Sequence, residues 1–186
     1  MLSRRRFLQT SLTTAGALAM GPAYWRGALA QTPTTPGPGP YGPLGAPDPI
    51  TGLRVPEGFS SRVVAAALQP VQGTGYLWPL FPDGKATYAL PDGGYVLVVN
   101  SEVPGGLGGA SSITFDASGR ITGARRILAG TSVNCSGGPT PWGTWLSGEE
   151  VDDPGGLIWE CDPLGAKDAV PRPAMGRFKH EAACVD

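Results

Sequence analysis

The sequence predicts an all-β protein, and three observations lead to this. After residue 60 the apolar residues fall in short runs, several of them rich in Val, Ile, Thr and aromatic residues. Gly, Asp and Ser separate these runs in combinations that favour tight turns. Beyond the N-terminal thirty residues the chain has no helical periodicity. Short strands joined by such turns indicate a sandwich or a propeller.

Seven segments are predicted as strands, in chain order 62–66, 86–90, 95–100, 111–115, 121–128, 142–147 and 156–160. The run Tyr-Val-Leu-Val-Val-Asn at 95–100 is the clearest, and it follows a tight Asp-Gly-Gly turn. The segment 111–115 alternates polar and apolar residues, and the Asp-Ala-Ser-Gly turn at 116–119 leads into 121–128. These two strands are therefore predicted to form a hairpin.

Two features favour the propeller over the sandwich. The hairpin at 111–128 is a common outer unit of a propeller blade, and the Gly-rich connection at 105–109 suits a crossing near a central axis. A blade of four strands takes about forty to fifty residues. The chain would then supply roughly three blades, and we expect a partial propeller with open sheet edges that is not stable alone.

The sequence of the N-terminal residues indicates an export signal peptide followed by a linker. Ser-Arg-Arg-Arg-Phe-Leu at 3–8 fits the twin-arginine pattern, and the Ala-Leu-Ala run at 28–30 suits signal cleavage. Seven of the twenty prolines lie in 33–49, which favours an extended chain. We predict a signal peptide at 1–30, a linker at 31–49 and one β domain at 50–186. The mature protein would be periplasmic or secreted, with no membrane segment after signal cleavage.

Charge and cysteine content narrow the function classes. The four arginines of the first thirty residues leave with the signal, so 10 basic residues remain against 15 acidic ones. An acidic chain without a basic stripe argues against nucleic acid as a partner. The three cysteines, Cys135, Cys161 and Cys184, allow one bridge and leave one thiol unpaired or bound to metal.

Candidate metal ligands gather in two stretches near the C-terminal end, 134–150 and 176–186, where acidic residues stand beside Gly, Trp and Thr. Hard cations prefer several oxygen ligands around one point. His180 is the only histidine, and the chain contains no Gly-x-Ser-x-Gly motif, which argues against a serine hydrolase. The run His-Glu-Ala-Ala-Cys at 180–184 lacks the second histidine of the zinc protease motif.

Four segments resemble the PhoX-like family of secreted alkaline phosphatases and phosphatase-like proteins (the DUF839 group). They are GPLGAPD at 42–48, VVNSE at 98–102, TPWGTWLSGEE at 140–150 and GRFKHEAACVD at 176–186. The resemblance implies the N-terminal blades of a six-bladed propeller and an acidic site on its axis. It also implies calcium as cofactor, with ferric iron as a further metal.

The resemblance implies four candidate metal ligands in this chain, Glu102, Glu149, Glu150 and Glu181, to which Cys135 is added as a candidate thiolate. Because adjacent strand residues point to opposite faces, at most one of Glu149 and Glu150 is expected to aim inward unless the backbone bulges. Many family members have Cys where this chain has Gly148, so iron would need its thiolate from Cys135 instead.

The catalytic residues implied by the resemblance are His180, as a proton donor or as support for a ligand, and Arg177, as a partner of the substrate phosphate. The expected activity is metal-dependent hydrolysis of small-molecule phosphate monoesters after export by the twin-arginine machinery. One alternative is a non-catalytic periplasmic or surface propeller that binds a ligand or partner and holds structural calcium. Another is hydrolysis of a different substrate, such as a lactone.

Overall fold

The computed structural model describes residues 40–186, which divide into two units between Ser61 and Arg62. The predicted signal peptide and the linker up to residue 39 lie outside the described residues. In the N-terminal unit, the described residues form loops and turns. The Asp48 carboxylate accepts the backbone N–H groups of Ile50 and Thr51, as an acidic residue at the start of a turn commonly does. No helix within residues 40–186 has the length and hydropathy that crossing a membrane requires.

The second unit contains two four-stranded antiparallel sheets. The first has the strands β1 (Pro82–Ala89), β2 (Tyr95–Ser101), β3 (Gly108–Phe115) and β4 (Ile121–Thr131). The second has β5 (Asn134–Pro139), β6 (Trp145–Glu149), β7 (Ile158–Cys161) and β8 (Val170–Pro171). In each sheet the spatial order follows the chain order, so each is a simple meander. The prediction of an all-β fold is confirmed.

Both faces of the first sheet are covered, which explains why β2 reads as a continuous apolar run. Val96 and Val98 point toward the second sheet and are fully buried with Trp145 of β6. Val99 points the other way, where Trp78 of the segment before β1 packs on the sheet. The main core therefore lies between the two sheets, and a second core lies under the residues that precede β1.

The predicted strand at 62–66 is wrong, because this segment has no strand partner in the structure. Its Val64 and Ala65 instead pack as a loop on the outer face of the first sheet. The apolar run at 62–66 correctly indicated buried residues, but residues buried in a loop and residues buried in a strand can show the same apolar sequence pattern.

Strand β6 begins at Trp145, three residues later than predicted, because Thr140 and Thr144 close a turn around Trp142.

The two sheets are joined by the side chain of Asn100, which lies at the end of β2 and is fully buried. Its Nδ2 donates to the carbonyl oxygens of Ser136 (2.9 Å) and Cys135 (3.3 Å) in β5. Its Oδ1 accepts from Trp145 Nε1 and from Ser147 Oγ in β6, both at 2.9 Å. All four hydrogen-bonding positions of the amide are thus used across the interface between the sheets.

We predict that Asn100→Asp destabilises the protein by about 2–5 kcal/mol, because a buried carboxylate would face two carbonyl oxygens with no donor between them. Asn100→Ala should have an effect of similar direction. The free energy of unfolding from urea titration checks this. Thr122→Ala, at an exposed hydroxyl, serves as the control. Wild-type stability of Asn100→Asp would contradict the assignment.

Candidate metal centre

Three side chains with metal-binding atoms meet where β1, β2 and β5 come together. Asp83 lies near the start of β1, Glu102 directly follows β2, and Cys135 belongs to β5. Their ligand atoms, two carboxylate oxygens and a sulfur, all lie within 4.8 Å of one another, and each residue is half-buried. Among the described residues this is a group that could hold a metal ion.

Backbone pairing explains this convergence. The antiparallel register places Pro82 opposite Ser101, so Asp83 near the start of β1 comes close to Glu102, the residue after β2. The next residue, Gly84, lets β1 touch β5, because a Cβ at this position would come within 2.5 Å of the Ser136 Cα. A side chain at residue 84 would therefore collide with the backbone of Cys135 and Ser136 and push β5 away from β1.

Glu150 and Lys179 border this group. The backbone N–H of Glu150 donates to the carbonyl oxygen of Val133 (2.8 Å), which fixes the residue just after β6. The Lys179 ammonium lies 3.0 Å from Glu150 Oε1, and the exposed fractions of the two side chains are 46% and 18%. We refer to Asp83, Glu102, Cys135 and Glu150 together as the acidic cluster.

The acidic cluster is electrostatically crowded. The pKa of Glu102 is raised, first by partial burial and then by a hydrogen bond with Glu150 and by the negative charges of Asp83 and Glu150. Burial, together with hydrogen bonds to and the charges of Asp83 and Glu150, raises the pKa of the Cys135 thiol to about 12. A nearby cation would favour the charged form of each of these groups.

The pKa of Glu150 is lowered, chiefly by its hydrogen bond with the Lys179 ammonium. Glu150 therefore carries its negative charge more readily than Glu102 does. The cluster offers carboxylate oxygens, which suit calcium, together with one sulfur, which suits a softer metal when deprotonated.

Glu149 points away from this cluster and is engaged by neighbouring strands. Its Oε1 accepts the backbone N–H of Ser132 at 2.9 Å, and its Oε2 accepts Leu157 N–H at 3.1 Å and Trp159 Nε1–H at 3.0 Å. With three donors on two oxygens, this carboxylate ties β6 to the start of β7 and to the turn before β5. Glu149 and Glu150 thus lie in opposite directions, as strand alternation predicts.

The remaining candidate residues lie on the segment that follows β8. The His180 ring is buried against Phe178, and its Nε2 is 3.3 Å from the carbonyl oxygen of Gly176. Arg177 is exposed, and its Nη1 is 3.4 Å from the carbonyl oxygen of Gly155. Glu181 is exposed, and its backbone carbonyl accepts the N–H of Ser136 in β5.

Gly148 faces His180 rather than the acidic cluster. A Cβ on Gly148 would lie 3.2 Å from the His180 Cβ and 3.3 Å from the Ile158 Cδ1. Both contacts are tighter than ordinary packing, so a larger residue would have to displace its neighbours. The thiol that the structure brings to the carboxylates is that of Cys135.

Sequence reasoning missed Asp83. The Pro-Asp-Gly run at 82–84 has the composition of a turn, whereas the structure places it in β1. The pairing of two adjacent strands was the available signal, because antiparallel neighbours bring the start of one beside the end of the other. That pairing indicates which acidic residue at the start of β1 lies near Glu102.

One comparison with known proteins gives a match, and it covers part of the second unit. The family model for alkaline phosphatase PhoX matches residues 108–156, a segment that includes Cys135, Gly148, Glu149 and Glu150. The resemblance to the PhoX family is confirmed over this segment. Asp83 and Glu102 lie outside it. No curated protein and no solved structure matches the chain.

We predict stability effects of different size for two neighbouring substitutions. Glu149→Gln should destabilise the protein by about 1–3 kcal/mol, because its amide NH2 would replace an oxygen that now accepts buried N–H groups. Glu150→Gln removes a partly exposed ion pair with Lys179 and should change stability much less than Glu149→Gln does, because solvent screens such a pair. Urea unfolding of both variants checks this, and equal losses would contradict the different roles.

Proposed function

We propose that the acidic cluster binds a metal cation and that the bound cation supports hydrolysis of small-molecule phosphate monoesters. The observation that carries this is the meeting of Asp83, Glu102 and Cys135 within 4.8 Å beside Glu150. The PhoX match over 108–156 supports the reaction class, because it covers the strands that contribute Cys135 and Glu150. The proposed substrate class, small-molecule phosphate monoesters, follows from the description of that family as alkaline phosphatases.

The donor set favours calcium as the main cation, because two or three carboxylates supply hard oxygen ligands. Iron as a further metal would depend on the thiolate of Cys135. Glu149 is left out of the proposed ligand set, since its oxygens already accept three hydrogen bonds. Glu181 is exposed and is retained only as an outer ligand that would have to turn toward the cluster.

Propeller architecture is part of the same proposal. Each sheet has four antiparallel strands in meander order, as in a propeller blade. Strands β1 and β5, the first of each sheet, contact each other at Gly84 and Ser136. First strands that approach in this way are compatible with inner strands around an axis, and they would place the acidic cluster near it. Export by the twin-arginine route to the periplasm or beyond fits a protein that folds around a metal before crossing.

The chemistry required is attack of water on phosphorus, with loss of the alcohol and transfer of the water proton to the leaving oxygen. A cation at the site would neutralise charge on the phosphoryl oxygens. The acidic cluster would hold that cation. Lys179 borders the cluster, and Arg177, two residues earlier in the chain, is proposed as a second basic group for the phosphate dianion, which an acidic protein otherwise repels. The His180 ring packs on Phe178, and in this proposal it holds the segment that carries both basic residues.

A second candidate function is a non-catalytic binding protein with structural calcium. The burial of His180, the predicted proton donor, with its Nε2 at the Gly176 carbonyl favours this alternative. In that case the cation would connect β1, β2 and β5, and would contribute only to stability.

We predict that calcium raises the melting temperature of the chelator-treated protein and restores hydrolysis of p-nitrophenyl phosphate. Glu102→Gln should weaken calcium binding at least tenfold, because a charged ligand is lost. Glu57→Gln, an exposed residue of the N-terminal unit, is the matched control. Calcium-dependent melting without hydrolysis of any phosphate monoester would favour the binding protein, and no calcium effect at all would contradict both functions.

We predict that Cys135→Ser lowers bound iron more than bound calcium, because sulfur contributes little to the binding of a hard cation. Gly148→Cys should not raise iron content and should lower the melting temperature, because its side chain would meet His180 and Ile158. Elemental analysis of the purified variants, together with thermal melting, checks both expectations. Iron retained in full by Cys135→Ser would exclude this thiol as a ligand.

A further inference from the structure

The ammonium group of Lys179 lies next to the acidic cluster. It lies 3.0 Å from Glu150 Oε1, and the pKa of Lys179 is raised by Glu150 first and by the charges of Asp152 and Glu181. The positive charge of Lys179 also acts on the Glu102 carboxylate. The ammonium therefore has several carboxylates around it, and it lies on the side of the cluster formed by Glu150.

The position of Lys179 is fixed by the backbone on both sides of it. Phe178 N–H donates to the Gly156 carbonyl at 3.3 Å, and His180 N–H donates to the Glu149 carbonyl at 3.0 Å. These bonds attach the segment to the residues that flank the β6–β7 connection. The lysine is thus held at Glu150 by the fold, unlike a surface lysine on a free loop.

We infer that Lys179 is a built-in counter-cation that competes with the metal for Glu150 and, once displaced, offers its charge to the anionic substrate. This inference rests on the proposed metal site. The long side chain, 46% exposed, has room to move from the carboxylate toward solvent without any change in the backbone. The Lys179 ammonium would occupy the Glu150 carboxylate without metal, and would add a positive group beside the metal once the metal binds.

The expected size of the competition follows from Coulomb's law. A unit charge and a divalent cation about 5 Å apart in water repel each other enough to change affinity roughly tenfold, after allowance for screening by salt. Removal of the ammonium should therefore tighten metal binding by about that factor. The gain should shrink as ionic strength rises.

The test is calorimetric titration of calcium into the chelator-treated wild-type protein and into Lys179→Gln. The variant is expected to bind calcium about tenfold more tightly at low salt. Lys167→Gln removes the same charge from the turn after β7, where Lys167 lines a separate cavity, and should bind as the wild type does. Lys179→Arg keeps the charge and should also bind calcium with near wild-type affinity.

A second measurement tests the other half of the inference. With calcium saturating, inorganic phosphate should bind Lys179→Gln at least threefold more weakly than it binds the wild type. Lys179→Met provides an independent neutral variant should Lys179→Gln fold poorly. Equal calcium affinity in the wild type and in the neutral variants would overturn the inference and leave the metal site standing. Failure of the wild type to bind calcium would overturn the proposed site itself.

Discussion

The buried amide of Asn100 is the constraint on which the relation between the two sheets depends. It lies near the end of β2. Its NH2 group donates two hydrogen bonds to carbonyl oxygens of β5, and its oxygen accepts two from side chains of β6. A buried amide tolerates no other arrangement without unsatisfied groups. Apolar packing by Val96, Val98 and Trp145 brings the sheets together, and the amide selects one register between them.

That register also builds the acidic cluster. The Asn100 amide donates to the carbonyl oxygen of Cys135. Glu102 lies two residues after Asn100, directly after the end of β2. The fold thus places like charges and a thiol side by side, where partial burial and repulsion raise the pKa of Glu102 and of Cys135. Such an arrangement opposes stability without a cation, and groups whose pKa values are shifted by burial and like charges are more frequent at functional sites.

Glu149 and Glu150 show how neighbouring residues of one type acquire different roles. Glu149 accepts three N–H donors from the surrounding strands, whereas Glu150 reaches the acidic cluster and the Lys179 ammonium. The difference comes from the alternation of side chains along an extended backbone. Glu149 links the strands of the second sheet, and Glu150 forms an ion pair with Lys179 at the edge of the acidic cluster.

The sequence by itself determined the all-β class, the hairpin of β3 and β4, and most strands, because these depend on local alternation and turn residues. It also singled out Glu102, Cys135 and Glu150, the last two within the PhoX-matched segment. Only the tertiary structure decided that Asp83 joins them, that Glu149 turns away and that 62–66 packs as a loop. Those outcomes depend on strand pairing and on contacts between the sheets. Such contacts join residues far apart in the chain, and local sequence patterns carry no record of them.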